Sequence, residues 1–362
     1  MLTFDERIRG ILNNNNLPNV WKTKLKESNN PIVLFGAGAA GHFFAEKLIA
    51  WGIYPTCFCD NNLEGMDDKY DIPIISFEVL CRDFKDAYIF TSVSDTAAEA
   101  VKTQLKIAGF MEEQLVSRIF LEDKISREVF ISNLERYRSL LAKLEDEKSQ
   151  EVVYEKLKYF LDYFDIQLSS PQNDQYFEND IIQLGTTEVF VDGGGYTGDT
   201  LIEFVKRIQG KYKKIFSFEP DLSSFEKLSK ASSDMDGVVL LNLGLWQNKD
   251  ELLFQGNNWS QSRISKYGSK RINVVAIDDF FEEYPDDIPT FIKLDIEGAE
   301  MQALRGASKI IKQYKPKLAI AIYHKTNDIF EIPELILQLN SSYKLYIRQY
   351  SKSNGEMICY AI

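Results

Sequence analysis

Glu188–Thr200 reads EVFVDGGGYTGDT, and the fold class follows from it. Val189, Phe190 and Val191 make a short apolar run, the kind that fills a buried strand of a parallel sheet. Gly193, Gly195 and Gly198 then spell G-x-G-x-x-G, and Leu201–Val205 opens a helical pattern. Strand, glycine turn and helix in that order form a nucleotide-binding βα unit. Glycine has no Cβ, so the turn's backbone can come close to a ligand. Asp192 stands at the strand end, directly before the first glycine. A carboxylate there repels a pyrophosphate but suits an ammonium or sulfonium group. S-adenosylmethionine carries both. The bland alternative is a tight turn with no ligand, because G-x-G-x-x-G alone is weak evidence.

A second loop of the same kind lies upstream. The apolar run Ile32–Phe35 precedes Gly36, Gly38 and Gly41, and His42–Trp51 has helical spacing. The next strand, Thr56–Cys59, ends in Asp60, 60 − 41 = 19 residues past the last glycine, where an acid can meet a ribose hydroxyl. Phe35 rather than an acid precedes Gly36, so this loop could take phosphates on its backbone N–H groups. Gly36, Gly38, Gly41 and Asp60 are therefore a candidate site for a dinucleotide or nucleotide-sugar. A packing or assembly domain weighs about equally, and His42 on the first helical turn is a ligand contact or a surface residue. Ile72–Ser76, Ala87–Thr91 and the helix Thr96–Ala108 complete a small α/β unit ending near Phe120.

The chain has 362 residues, room for two domains of about 100–200 each. The organisation expected is a lead-in over 1–30, a Rossmann-like nucleotide-binding domain over 31–120, a helical connector over 121–185 and a second α/β domain over 186–362. In the connector, Leu134, Tyr137, Leu140, Leu141 and Leu144 recur at helical spacing, and Glu145–Lys148 reads as a solvated face. The net charge of -12 argues against broad nucleic-acid binding. Four cysteines form no C-x-x-C pair and there are two histidines, so no zinc site is expected. Cys57 and Cys59 alternate on one strand face as buried thiols. The start MLTFDERIRG lacks a signal-peptide core, and no apolar run nears the roughly 18 residues of a membrane span. A cytoplasmic protein is expected.

Downstream of Gly198, strands alternate with helices and end in acids. Ile215–Phe218 ends in Glu219, 219 − 198 = 21 residues past that glycine, and a carboxylate there can accept from both ribose hydroxyls. Asn242 and Leu243 follow the strand Val238–Asn242. Val274–Ile277 reads as a strand ending in Asp278, Phe291–Leu294 ends in Asp295, and Leu318–Tyr323 ends in His324. Asn354–Gly355 between two alternating runs signals a closing hairpin.

Four segments together resemble the FkbM family of S-adenosylmethionine-dependent methyltransferases: VFVDGGGYTGDT, FSFEPD, VVAIDDF and, most specifically, FIKLDIEGAEMQALRGA. The resemblance covers roughly residues 150–362. IYHKTNDIFEIP is similar to a bacterial branch tied to surface polysaccharides. The N-terminal part resembles, less specifically, small Rossmann-like domains fused to sugar-modifying enzymes. One departure is Gly194, which loosens the loop. The resemblance implies two Rossmann-like domains joined by a helical connector, the second a class I methyltransferase fold with a mixed seven-stranded sheet. It implies O-methylation of a sugar or of a glycan or polysaccharide precursor, with S-adenosylmethionine as methyl donor. The expected partners are a glycan or small-molecule acceptor and a second copy of the chain.

In that reading Asp192 holds the donor's positive end while Gly193 and Gly195 cradle its methionine part. Glu219 binds the ribose, Asn242 and Leu243 flank adenine, and Asp278 belongs to the same pocket. His324 is the expected base, since an unperturbed histidine pKa of about 6.5 suits the task. Asp295 is its alternative or partner, with Glu297 beside it. No metal is assigned, although Asp278, Asp295 and Glu297 offer oxygen ligands to a divalent cation. Glu300 reads as a helix N-terminal acid. The loop Gly256–Gly268, with Trp259, Ser260, Gln261 and Ser262, is the candidate acceptor subsite. Two other functions stand against this one: an NAD-dependent sugar oxidoreductase or epimerase on the Gly36–Gly41 loop, and a non-catalytic nucleotide-sugar or assembly role for the first domain.

Overall fold

A computed structural model describes residues 3–13, 17–93, 95–116, 125, 127–161, 174–255, 263–264, 270–351 and 355–362. It divides into two compact units: Met1–Phe130 with Leu157–Asp165, and Ile131–Lys156 with Ile166–Ile362. The segment 121–185 is thus shared between them.

The first unit carries β1 (Ile32–Phe35), β2 (Cys57–Cys59), β3 (Gly65–Asp67), β4 (Ile72–Ile75), β5 (Tyr88–Thr91) and β6 (Leu115–Val116), in sheet order β3-β4-β2-β1-β5-β6. Only β3 runs antiparallel to its neighbour. Every residue of β1 and β2 is buried, because apolar side chains on both faces need cover on both sides. Cys57 and Cys59 share one apolar cluster with Val33 and Leu80, and burial pushes both thiols up to about 12. The lead-in forms two helices, Phe4–Asn13 and Leu17–Glu27.

The second unit holds β7 (Val189–Gly193), β8 (Lys214–Phe218), β9 (Val238–Leu241), β10 (Gly244–Leu245), β11 (Asp250–Gln255), β12 (Arg263–Ile264), β13 (Lys270–Val275), β14 (Phe291–Leu294), β15 (Lys317–Ala321), β16 (Leu345–Gln349) and β17 (Met357–Ala361). Seven of them form one sheet in the order β16-β17-β15-β14-β7-β8-β9. From β9 to β15 all neighbours are parallel, and β17 inserts antiparallel between β15 and β16. The mixed seven-stranded sheet is the one expected. Phe190 stacks on Phe204 and Phe291 at centroid distances of 4.4 and 5.0 Å, fixing the helix Asp199–Arg207 against β7 and β14. The hairpin β16–β17 forms, with Gln349 opposite Met357; Asn354 lies outside the described residues.

A small sheet, β10-β13-β11-β12, was not read from the sequence. The strand expected over Val274–Ile277 is the end of the longer β13, and Ile277–Phe281 is a helix with Asp278 in its first turn.

Candidate functional site

In a parallel sheet, ligands lie beyond the carboxyl ends of the strands at the point where strand order reverses. Here that point falls between β7 and β14, on either side of which the chain winds outward. A cavity of about 500 Å³ opens there. One end is lined by Gly194, Tyr196, Glu219, Leu245, Phe254 and Ile272, the other by Tyr176, Asp295, Glu297, Tyr323 and Glu356.

The glycine loop sits tightly on β14 and β8. Gly194 has φ +82°, and a Cβ there would lie 1.9 Å from the Asp295 carbonyl oxygen. The glycine expected to loosen the loop is therefore the one the packing demands. At Gly195 a Cβ would lie 2.3 Å from Ser217 Oγ. The N–H groups of Gly194 and Gly195 donate to the Phe218 carbonyl at 2.9 and 3.0 Å. Gly194 and Tyr196, rather than Gly193 and Gly195, face the cavity.

Asp192 also differs from expectation. It is fully buried and absent from the cavity lining. Its Oδ1 lies 3.1 Å from Lys293 Nζ, and its Oδ2 accepts from Ser217 Oγ at 3.0 Å. Strand register puts Lys293 directly opposite Asp192. Lys293 Nζ also donates to the carbonyls of Gly193 and Gly194 at 3.0 and 2.7 Å. Burial lowers the Lys293 pKa, but Asp192 and then Asp295 outweigh it, and the ammonium stays charged. The aspartate's charge is thus met inside the protein, and it holds the loop through Lys293. A lysine within the otherwise apolar run FIKL was the available signal for this pair.

Glu219 does line the cavity. Its Oε2 accepts from Tyr196 N at 2.9 Å and its Oε1 from Asp221 N at 2.8 Å. Burial pushes its carboxyl up to about 7 against these hydrogen bonds. Asn242 and Leu243 stand outside the lining; Asn242 Nδ2 donates to the Glu219 and Pro220 carbonyls at 2.9 and 3.1 Å and so braces the turn. Asp278 is removed from the site altogether. Its carboxylate accepts from Lys309 N at 2.8 Å and Ile310 N at 3.0 Å, capping the helix Ser308–Tyr314. The trio Asp278, Asp295 and Glu297 therefore does not assemble.

Asp295, Glu297 and His324 do come together. His324 Nε2 lies 3.4 Å from Asp295 Oδ1 and 3.5 Å from Glu297 Oε2, and Nδ1 lies 3.0 Å from Glu300 Oε1. Burial alone would lower the imidazole pKa, but Glu300, then Asp295 and Glu297, raise it to about 10. Three carboxylates around the ring hold the imidazole toward its protonated form, which counts against the base role expected of His324. Asp295, Glu300 and His324 bring ligand atoms within 4.8 Å of one another, a spacing a cation could bridge, and the imidazolium itself supplies positive charge there.

Sequence reasoning missed the groups around Asp295. Tyr176 and Tyr323 hydroxyls both donate to its carboxylate, the second at 3.1 Å. Gln175 Nε2 donates to Glu356, delivered by the β16–β17 turn. Among the described residues seven non-glycines have positive φ, and four of them (Tyr176, Tyr196, Glu297 and Glu356) line this cavity. Such backbone costs about 1–3 kcal/mol per residue and gathers at functional sites.

In the first unit Asp60 Oδ2 accepts from Ala37 N at 3.0 Å and Oδ1 from Asn62 N at 2.9 Å. The acid expected at a ribose closes the glycine loop instead. A Cβ on Gly41 would meet the Gly36 carbonyl oxygen at 2.0 Å, while one on Gly38 would meet open space. His42 Nε2 is 2.5 Å from Asp67 Oδ2, and its ring packs on Phe58 and Tyr70. The candidate acceptor loop at Trp259–Ser262 lies outside the described residues.

With this geometry in view, residues 192–353 match the family model described as the methyltransferase FkbM domain. Hexuronic acid methyltransferase AglP of Haloferax volcanii is 26% identical over 102 residues, 27% of this chain and 43% of its own length. The chain thus spans less than half the length of that curated relative. The crystal structure of methyltransferase FkbM from Methylobacillus flagellatus matches with a TM-score of 0.74 at 20% identity, over 99% of this chain and 98% of that one. That likeness is one of fold. Among the described residues no helix is long and apolar enough to cross a membrane.

Proposed function

Because residues 192–353 form an FkbM methyltransferase domain, we propose that the protein transfers a methyl group from S-adenosylmethionine to a hydroxyl of a sugar or glycan precursor. The observation that carries this is the cavity at the β7–β14 switch point, with Glu219 at one end and Asp295 and Glu297 at the other. The residues fit such a ligand. A Cβ at Gly194 would clash with the backbone beside the cavity, Glu219 offers a carboxylate to ribose hydroxyls, and Leu245, Phe254 and Ile272 offer an apolar wall to adenine. The donor supplies an electrophilic methyl carbon. The protein aligns that carbon with the acceptor oxygen, an effect that can supply ~7–11 kcal/mol. Acceptance of the hydroxyl proton falls to the carboxylates at the Asp295 end.

The relative that acts on a hexuronic acid supports a sugar acceptor. For the first unit we propose the assembly role, since Asp60, the acid expected at a ribose, is committed to its own loop. The test is twofold. S-adenosylhomocysteine should raise the melting temperature of the full chain, and tritium from [methyl-³H]S-adenosylmethionine should enter a glycan-precursor extract of the source cells. A protein whose melting point ignores the nucleoside and which labels nothing would count against the reading.

A further inference from the structure

The end of the cavity beneath Tyr176 and Tyr323 holds more ionisable groups than proton transfer requires, and their burial is graded. The side chain of Glu297 is 32% exposed, that of His324 10% and that of Glu300 1%. Only Glu297 of the three lines the cavity. Resting on the methyltransferase reading, we propose that Glu297 is the group that takes the acceptor's proton, and that His324, clamped from behind by Glu300, is a fixed positive charge that positions the Glu297 carboxylate.

The geometry runs outward from the interior. Glu300 Oε1 accepts from Ile296 N at 2.9 Å and Gly298 N at 3.3 Å, so the turn that carries Glu297 locks this carboxylate in place. Its charge fixes His324 through Nδ1 at 3.0 Å. The other ring nitrogen then lies between Asp295 and Glu297 at 3.4 and 3.5 Å. Asp295 is held by two tyrosine hydroxyls, so it is the anchored member of that pair. Glu297 is the freer one, at φ +56° with Gly298 following at φ +92°. A left-handed non-glycine here is backbone strain that aims one carboxylate at the cavity.

The groups facing Glu297 come from three elements. Asp295 and Glu300 share its own segment, His324 follows β15, and Glu356 arrives on the β16–β17 turn. Lys325 Nζ donates to the Gly298 carbonyl beside it. Burial raises the Glu297 carboxyl, His324 pulls it down, and Asp295, Glu300 and Glu356 push it up again, to about 7. A base with its pKa near the working pH combines availability with driving force. In the step itself the acceptor O–H bond breaks and its proton passes to a Glu297 carboxylate oxygen. The freed oxygen pair forms the new C–O bond, the S–C pair stays on sulfur as the neutral thioether, and the proton later leaves to solvent.

Carbon-13 titration of the glutamate side-chain carboxyls, assigned by Glu297→Gln, tests the arrangement without any acceptor. In the wild-type chain Glu297 should titrate near 7, and in His324→Gln its midpoint should rise by roughly 1–3 pH units, as befits loss of an adjacent cation. An unchanged or lowered midpoint overturns the proposal. The wild type alone gives a second measurement. The chain has two histidines, so the ring nitrogens are readily assigned. Those of His324 should keep imidazolium shifts through pH 9, and a ring that deprotonates between pH 6 and 7 also overturns it. In the tritium assay Glu297→Gln should lose roughly 10²–10⁴-fold in transfer while binding S-adenosylhomocysteine within threefold of wild type. Retained transfer refutes the base role. A wild type that neither binds nor transfers overturns the methyltransferase reading instead, and the two titrations still decide the charge network.

Discussion

Replacing Lys293 with methionine should destabilise the second unit far more than an ordinary lysine substitution. The side chain is 2% exposed and Asp192 is wholly buried 3.1 Å away. Lys293→Met leaves that carboxylate charged with a hydroxyl as its remaining partner, and it takes the donor from the Gly193 and Gly194 carbonyls. Breaking a buried pair by removing one partner costs about 3–5 kcal/mol, whereas replacing both with apolar or neutral groups is often near neutral. In a unit of roughly 220 residues each kcal/mol moves the melting temperature by about 2–4 °C. Calorimetry should therefore show a fall of roughly 6–20 °C for Lys293→Met. Asp192→Asn combined with Lys293→Met should recover at least half of it, because the uncompensated charge is gone. A single variant within about 1 kcal/mol of wild type would mean that Lys293 does not compensate the buried Asp192 charge. So would a double variant as unstable as the sum of the two singles.

Binding of S-adenosylhomocysteine should depend on pH through Glu219. Burial lifts this carboxyl from 4.5 to about 7, so between those values the folded protein keeps a proton that a free carboxylate loses, and ribose needs the ionised form. Affinity should level off above pH 7 and fall about tenfold per unit below it; a flat calorimetric profile from pH 5.5 to 8 would contradict the assignment. Gly194→Ala should abolish nucleoside binding, since its Cβ would fall 1.9 Å from a backbone oxygen at φ +82°; a bound crystal structure with the loop unmoved would disprove this. Asp278→Ala should cost about 1 kcal/mol as a lost helix cap and leave binding within threefold. A large loss of affinity would return Asp278 to the ligand site.

The features legible in the sequence were those set by backbone and burial. Val189–Val191 is apolar throughout, and Ile215–Phe218 and Phe291–Leu294 are apolar but for the buried Ser217 and Lys293, because both sheet faces are covered; each lies within or makes up an observed strand. The closing hairpin was legible from its alternating runs. Residues near the strand ends could be located in the chain, but their partners could not. Whether His324 is a base or a cation depends on Glu300, three positions beyond Glu297 and folded back beneath it. Asp192 looked ligand-facing because nothing local shows that Lys293 pairs with it across 101 residues. Asp278 looked like a strand-end acid because Ala276 begins a short helix that apolar residues disguise as strand. Tyr176 and Glu356 reach Asp295 from opposite ends of the unit, and no short-range pattern records that meeting.

We propose the cavity at the β7–β14 switch point as the methyl-donor site. Isothermal titration of S-adenosylhomocysteine into the full chain at pH 8, with Glu219→Ala alongside, tests it most directly. Binding should be saturable and one-to-one, and weakened roughly 10–150-fold in the variant, the equivalent of about 1.5–3 kcal/mol for hydrogen bonds to a charged group. Absence of saturable heat in the wild type, or equal affinity in the two proteins, would contradict it.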